Sequence, residues 1–410
     1  MEIRPILSAL LRNKTAPLLV ALQVAISLAI LVNALHIVQL RIADAQRPSG
    51  MLDESVVFEL DMSAIKQHNV NEKLALQQSA RLALRNLPGV LSVATTNQMP
   101  MSRSGHQSTI YKEMHQTRPI ASVAQYTTAD SLVDTFGLKV IAGRDFVSAD
   151  VVDNDENNDT EPKNVMVTQA VTQLLYPDLP ASEVIGKRII FDPEDKLEVR
   201  IIGVVERLQT VAAKPGVAGE YSVIKPVRFA RSNLRFAVRT APGQRDRVMK
   251  DAEVAMRKIS NEPFVITTKS SEKDREKRYS NDKALAGMLL VISGLLLLIT
   301  ASGIVGMSSL WLAQRRKQIG VRRALGARKR DILRYFLLEN ALITCSGIAI
   351  GFVLALGLNQ LLVSQLSMQK LPLPYLATGA SMFLLLGLAS VFGPALRATA
   401  ISPALATRSV

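Results

Sequence analysis

The 410 residues are 48% hydrophobic with a mean hydropathy of +0.18, which points to some membrane spans joined to a soluble part. Twelve of the fourteen net positive charges fall in residues 1–15, in 313–340 and at Lys370, Arg397 and Arg408, beside apolar runs, so the basicity reads as membrane topology rather than nucleic-acid binding. The single cysteine, Cys345, rules out a disulfide within the chain and with it a stapled secreted domain.

Residues 18–40 are free of charge and long enough to span a bilayer at about 1.5 Å per residue. Arg4, Arg12 and Lys14 precede them. Ala43-Asp44-Ala45 resembles a signal-cleavage site, but the apolar core exceeds the roughly 7–15 residues of a signal sequence, so a retained span is expected. Gln23, Asn33, His36 and Gln39 lie within it, and polar residues at membrane depth face protein or water. His36, near the outer end, reads as an interfacial packing residue.

The soluble part, 41–283, contains a repeat. Residues 56–60, 71–87 and 90–96 read as strand, helix and strand, and 234–240, 244–260 and 264–270 give the same order. Leu76, Ala80, Ala83 and Leu87 in one helix and Val248, Ala252, Ala255 and Ile259 in the other share the spacing of a helix face, each pair 172 residues apart. Two βαβ units predict a split, ferredoxin-like α/β layer. Between them, strand signals at 121–127, 138–142, 165–168, 187–191, 199–205 and 221–227 predict a mostly β insertion.

The acidic run 150–161 suggests calcium, but aligning Asp153, Asp155 and Asn157 to an EF-hand puts Asn158 at the required glycine and Asn164 at the closing glutamate. A solvated loop is the better reading. Residues 271–283 open with Ser271 and Asp274 at capping-box-like spacing, and Asp274 and Arg278 can pair. This predicts a solvated stalk helix, continuous with the next span, that lifts the soluble domain by about 20 Å.

Residues 284–314, 340–369 and 371–396 supply three more spans. Apart from Lys370 in the hairpin between spans three and four, the short-loop basic residues then lie on one side, which places both termini in the cytoplasm and 41–283 outside. Gly347, Gly351 and Ala355 make a line of small residues suited to close helix packing, within one chain or between two. Between spans two and three, residues 315–339 hold nine basic residues against Asp331 and Glu339. Val321, Ala324 and Leu325 form a narrow apolar stripe there, and Gly326 stands where a helix cap would sit, so a short docking helix is expected rather than a charged tether.

The run QIGVRRALGARKRDILRYFLLE resembles the cytoplasmic loop of FtsX- and MacB-type permeases of ABC transporters. LPGV at 87–90, AGRDF at 142–146, IIGVV at 201–205 and the tail PALRATAISPALATR at 394–408 extend the resemblance over nearly the whole chain. It implies an α+β membrane protein: four transmembrane helices, with a large extracytoplasmic α/β domain between spans one and two, a split βαβ pair carrying a β-rich insertion. The expected domains are 1–41, 42–270 (α/β part about 52–97 and 233–270, insertion about 98–232), a stalk at 271–283, and 284–410 with helices about 284–313, 335–366 and 374–397. The resemblance further implies that Arg315, Arg316, Gln318, Ile319, Val321, Arg322, Arg323, Ala324, Leu325, Gly326, Ala327 and Arg328 dock a separate ABC ATPase subunit that binds the ATP and Mg2+. The family commonly has an acidic residue where this chain has the neutral Gln318.

Other expected partners are a second permease copy or paralogue and, in some systems, an extracytoplasmic adaptor and an outer-membrane channel, all in a bacterial cytoplasmic membrane. Such systems transmit motion mechanically and export antibiotics, peptides or toxins, or release lipoproteins. No G-x-x-x-x-G-K-S/T phosphate loop occurs, so this chain is not expected to bind ATP by that route. The histidines at 36, 68, 106 and 115 and Cys345 show no metal-ligand spacing, and no G-x-S-x-G elbow is present. No enzyme motif and no cofactor on the chain is expected. Besides an efflux permease, the sequence leaves open a lipoprotein-releasing permease, a cell-division regulator and a membrane-anchored receptor or sensor without an ATPase.

Overall fold

The first helix, α1 (Thr15–Gln46), runs unbroken through Ala43-Asp44-Ala45. The computed structural model describes residues 15–66, 68–114, 116–155, 160–192, 197–259, 262–366 and 369–399. Arg4, Arg12, Lys14, His115 and Arg408 lie outside these. The chain divides into an α/β unit, Gln46–Asn281, and a membrane unit made of Met1–Ala45 and Asp282–Val410.

The α/β unit opens with β1 (Val57–Ala64), α2 (Val70–Arg85) and β2 (Val90–Thr95). Asn69 and Glu72 cap α2 reciprocally, each side chain accepting the other's backbone N–H, which satisfies two orphan donors of the first turn. An insertion follows: β3 (Gln107–Ile110), β4 (Ala121–Thr128), α3 (Leu132–Phe136), β5 (Val140–Gly143), β6 (Val152–Asn154), β7 (Asn164–Thr168), α4 (Gln169–Leu175), α5 (Ala181–Val184), β8 (Arg188–Asp192), β9 (Leu197–Val205) and β10 (Ser222–Phe229). The unit closes with β11 (Asn233–Thr240), α6 (Arg245–Arg257) and β12 (Phe264–Ser270).

β1, β2, β11 and β12 form one antiparallel sheet in the order β12-β1-β11-β2, the topology of a split βαβ pair. Alternate residues Phe58, Leu60, Met62, Leu234, Phe236 and Val238 face α2 and α6. The 172-residue offset holds in the core, where Ala80 matches Ala252 and Leu84 matches Met256, all fully buried. The expected stripes are corrected at their ends: Leu87 and Ile259 lie beyond the helices, which stop at Arg85 and Arg257, and Leu84 and Met256 fill the last buried turn.

The insertion builds a second sheet in the order β3-β4-β10-β7-β9-β5, with β6 on β10 and β8 on β9. Its helices α3, α4 and α5 escape a strand-only reading because they are too short for a 3.6-residue period to register. The acidic run is not simply a solvated loop. Asp150 binds Arg144 at 2.7 Å, Val152–Asn154 joins the sheet, and Glu161 accepts two bonds (2.6 and 2.8 Å) from Lys225, which is buried and sits 4.0 Å over the Phe191 ring. Asn157 and Asn158 lie outside the described residues.

Helix α7 (Ser271–Gln314) runs without a break from the α/β unit into the next span, as expected, but its first turns are solvated on one side only. Its first eleven residues belong to the α/β unit, where Tyr279 is 1% exposed and Ser271 2%. Charged tips reach backbone carbonyls while their stems and the tyrosine ring pack, a pattern that composition alone reads as solvent-facing. The cap is also shifted: Ser270, not Ser271, accepts from Lys273 N–H at 3.3 Å.

The membrane unit adds α8 (Arg316–Ala324), α9 (Lys329–Leu366) and α10 (Leu373–Thr399). α1, α7, α9 and α10 are long and apolar enough to cross a membrane. α1 is their hub: Gly347 and Gly351 of α9 lie against Ala21, Val24, Ala25 and Leu28, and Gly379 of α10 lies against Leu28 and Val32. On α7, Thr300 donates to Ser27 at 2.9 Å. Asn33 donates to the Ala355 carbonyl at 3.1 Å, and His36, 4% exposed, packs edge-on against Tyr375 with ring centroids 5.3 Å apart.

Candidate functional site

The loop between α7 and α9 is a short helix fastened along one side. Arg315, Ile319 and Arg322 recur at i, i+4 and i+7 and face the membrane unit. Arg315 donates to both carboxylate oxygens of Glu339 (2.8 and 3.1 Å) and stacks 4.8 Å from the Trp311 ring. Glu339 has only 2% of its side chain exposed, so the pair is a buried anchor. Ile319 is buried in the cluster of Leu312, Ile332 and Phe336, and Arg322 lies 4.9 Å over the Tyr335 ring.

The helix ends in a Schellman turn. Gly326 has φ +99°, a conformation that disfavours any residue with a Cβ, and Ala327 N–H returns to the Arg322 carbonyl at 3.1 Å. Arg328 stands just ahead of α9, its N–H bonded to the Asp331 carboxylate at 3.0 Å. The opposite face is left open: Gln318 and Ala324 are exposed, Val321 is 50% exposed and Leu325 82%.

The twelve sequence-predicted docking residues therefore divide. Arg315, Ile319 and Arg322 hold the helix in place, Gly326, Ala327 and Arg328 turn the chain, and Gln318, Val321, Ala324 and Leu325 face outward. The side chains of Arg316 and Arg323 lie outside the described residues. Gly347, Gly351 and Ala355 pack against α1 of the same chain. Sequence reasoning missed the Arg315–Glu339 anchor; its signal was an acidic residue at the edge of an apolar run.

It also missed a constellation in the α/β unit, where the residues just after α1 meet the start of α7. Arg275 grips the Glu54 carboxylate (2.6 and 2.8 Å) and donates to the Arg47 carbonyl at 2.7 Å. Arg278 donates to the carbonyls of Ala212 and Ala213. Gln209, fully buried, donates to the carbonyls of Arg47 and Pro48, accepts from Tyr279 at 3.3 Å, and gives its own carbonyl to Tyr126 at 2.6 Å. Nearby, Arg235 serves both Glu59 (2.5 Å) and Asp61 (2.7 Å). Burial, reinforced by the Asp61 charge against the pull of Arg235, pushes the Glu59 carboxyl up to about 7.

The family model of the MacB-like periplasmic core domain matches residues 23–254, more than half of the chain, and that of the FtsX-like permease C-terminal region matches 290–406. The chain belongs to the MacB/FtsX-type permease family. It is 25% identical over 330 residues to the macrolide export ATP-binding/permease protein MacB of Campylobacter fetus, covering 78% of this chain and 47% of that protein. A MacB 1/2 protein of Paracoccus denitrificans is 24% identical over 334 residues, 77% of this chain and 47% of its own length. The pyoverdine export ATP-binding/permease protein PvdT of Pseudomonas syringae pv. syringae is 30% identical over 167 residues, 39% of this chain and 25% of its own. The chain thus spans about half the length of the MacB relatives it matches. As a member of this family with four helices among the described residues long and apolar enough to span a bilayer, it is an inner-membrane protein.

Proposed function

We propose that this permease couples ATP hydrolysis, performed by an ABC ATPase subunit on a separate chain with its ATP and Mg2+, to conformational change in an extracytoplasmic Gln46–Asn281 unit. The coupling is mechanical, and its output is export of antibiotics, peptides or similar cargo. The observation behind this reading is the two-sided helix α8, anchored by Arg315–Glu339 and Ile319 while Val321 and Leu325 stay open to a partner. An apolar stripe on a basic, rigidly seated helix is suited to a groove with an acidic rim. The positive-inside distribution supports cytoplasmic termini and an outward-facing α/β unit. A second permease copy, and an adaptor with an outer-membrane channel, complete the proposed assembly.

The test is coexpression of the full-length permease with its cognate ATPase. Val321→Glu with Leu325→Glu abolishes copurification and permease-stimulated hydrolysis while leaving the permease folded. Unchanged copurification and stimulation in that variant would overturn the docking assignment.

A further inference from the structure

β2 is an edge strand: β11 pairs its inner side, and no strand pairs its outer side among the described residues. The short helix α3 meets the strand on the face of the sheet away from α2, where Ser92 Oγ lies 2.8 Å from Thr135 Oγ1. A cleft runs along the outer side, walled by α2 on one side and by residues 129–134 with Arg228 on the other. It comprises a cavity of about 500 Å³ along Leu91, Ser92 and Val93 and a second of about 320 Å³ beside Gln77 and Gln78, with the Arg81–Asp130 ion pair (3.0 Å) lining both.

The first rung of this edge is already occupied in an instructive way. Thr95 N–H donates to the Asp130 carboxylate at 2.9 Å, and Asp130 also takes the Thr95 hydroxyl and Arg81. A side-chain carboxylate of the insertion therefore stands where a neighbouring strand's carbonyl would be. Backbone groups alternate along a strand, so the N–H of Val93, two residues back, points into the same cleft. From Leu74 to Arg85 the α2 wall is roughly 16 Å long, the length of about five extended residues.

The charge around the open part is directional. Asp130 is paired with Arg81, so Arg85, exposed at the rim, and Arg239, held to the Asp134 carbonyl at 3.0 Å, stand against one further carboxylate on the cavity, that of Asp134. Leu91, 57% exposed, offers an apolar contact between the two arginines.

We infer that the outer edge of β2 receives an extended, acidic segment of a partner polypeptide, which adds a strand to the sheet and sets a carboxylate against Arg85 and Arg239. Main-chain bonds give the affinity and the arginines the register. The inference is independent of ATP coupling and of the docking face on α8.

The test uses the full-length protein in detergent and a fluorescein-labelled, acetylated pentapeptide of alternating valine and glutamate. Anisotropy shows saturable binding, and hydrogen exchange at the Val93 amide slows in its presence. Methylating alternate peptide nitrogens, or replacing glutamate by lysine, weakens binding roughly tenfold or more. Arg85→Glu, a change at an exposed helix position, inverts the preference between the glutamate and lysine peptides. Absence of saturable binding, equal binding of the methylated peptide, or an unchanged preference in Arg85→Glu would each overturn the proposal. So would dissociation of a permease dimer by Arg85→Glu without peptide binding, which would assign the edge to a second copy.

Discussion

Arg315 and Glu339 show how one ion pair can decide where a helix sits. With 2% of its side chain exposed, the Glu339 carboxylate depends on Arg315 for compensation, and removing one partner of a buried pair costs about 3–5 kcal/mol because the other charge is stranded. Arg315→Ala should therefore lower the thermal stability of the detergent-solubilised protein strongly, and adding Glu339→Gln should restore a large part of the loss; equal losses in single and double variants would contradict the pairing. Glu59 works in the opposite sense. Its carboxyl, at about 7 when folded against an ordinary 4.5, binds its proton more tightly in the folded state. That stabilisation is complete below about 4.5 and is lost as pH rises to about 7, a loss on the order of 3 kcal/mol at higher pH. Glu59→Gln should flatten the pH dependence of hydrogen-exchange protection in β1 and β11 across this window and raise protection above it. A variant that keeps the wild-type pH slope would assign the slope to another group.

At the scale of elements, close approach is what the glycines provide. A Cβ on Gly347 would lie 2.7 Å from the Ala21 carbonyl and one on Gly351 3.1 Å from the Ala25 backbone, distances that a neighbouring main chain cannot easily relieve. Gly347→Val should separate α9 from α1 and destabilise the membrane unit by about 1–3 kcal/mol, the usual effect of overpacking. Gly287→Val, with open space around its Cβ position, is the control, and a similar melting shift in both would remove packing as the cause. Much at this scale was legible in sequence, for stated reasons. The spans announce themselves by length without charge, and the repeat by a helix period recurring at a fixed offset. Gly326 marks the end of α8 because few other residues tolerate its φ of +99°. What stayed hidden depends on contacts between segments far apart in the chain. Arg275 and Arg278 sit in a charged run that looks solvated, and only the fold reveals that their acceptors are Glu54 and the carbonyls of Arg47, Ala212 and Ala213. The inward and outward faces of α8 were likewise unreadable, since Arg315 and Arg322 pack inward while Val321 and Leu325 are left open, the reverse of what charge alone suggests.

For the molecule as a whole, the consequential arrangement is that the α/β unit ties together the two ends of its own chain. It begins at Gln46 and finishes at Asn281, and Arg275 and Gln209 both hold the Arg47 carbonyl. Arg275 adds Glu54, just ahead of β1, while Gln209, Tyr126 and the carbonyls of Ala212 and Ala213 bring in the insertion. On the mechanical reading proposed above, a displacement of either end would reach both subdomains at once. This junction then transmits motion without taking part in ATPase docking, so the two steps can be separated. Arg275→Ala removes the guanidinium partner of Glu54 and one of the donors to the Arg47 carbonyl, a loss of about 1–3 kcal/mol locally that an otherwise intact unit can absorb. In complex with the cognate ATPase, the variant should retain stimulated hydrolysis within about twofold. The nucleotide-dependent change in hydrogen exchange expected for β4 and β10 of the wild-type protein should disappear. If the exchange response persists in Arg275→Ala, motion enters the unit by another route, and if hydrolysis falls with it, the junction belongs to the docking step instead.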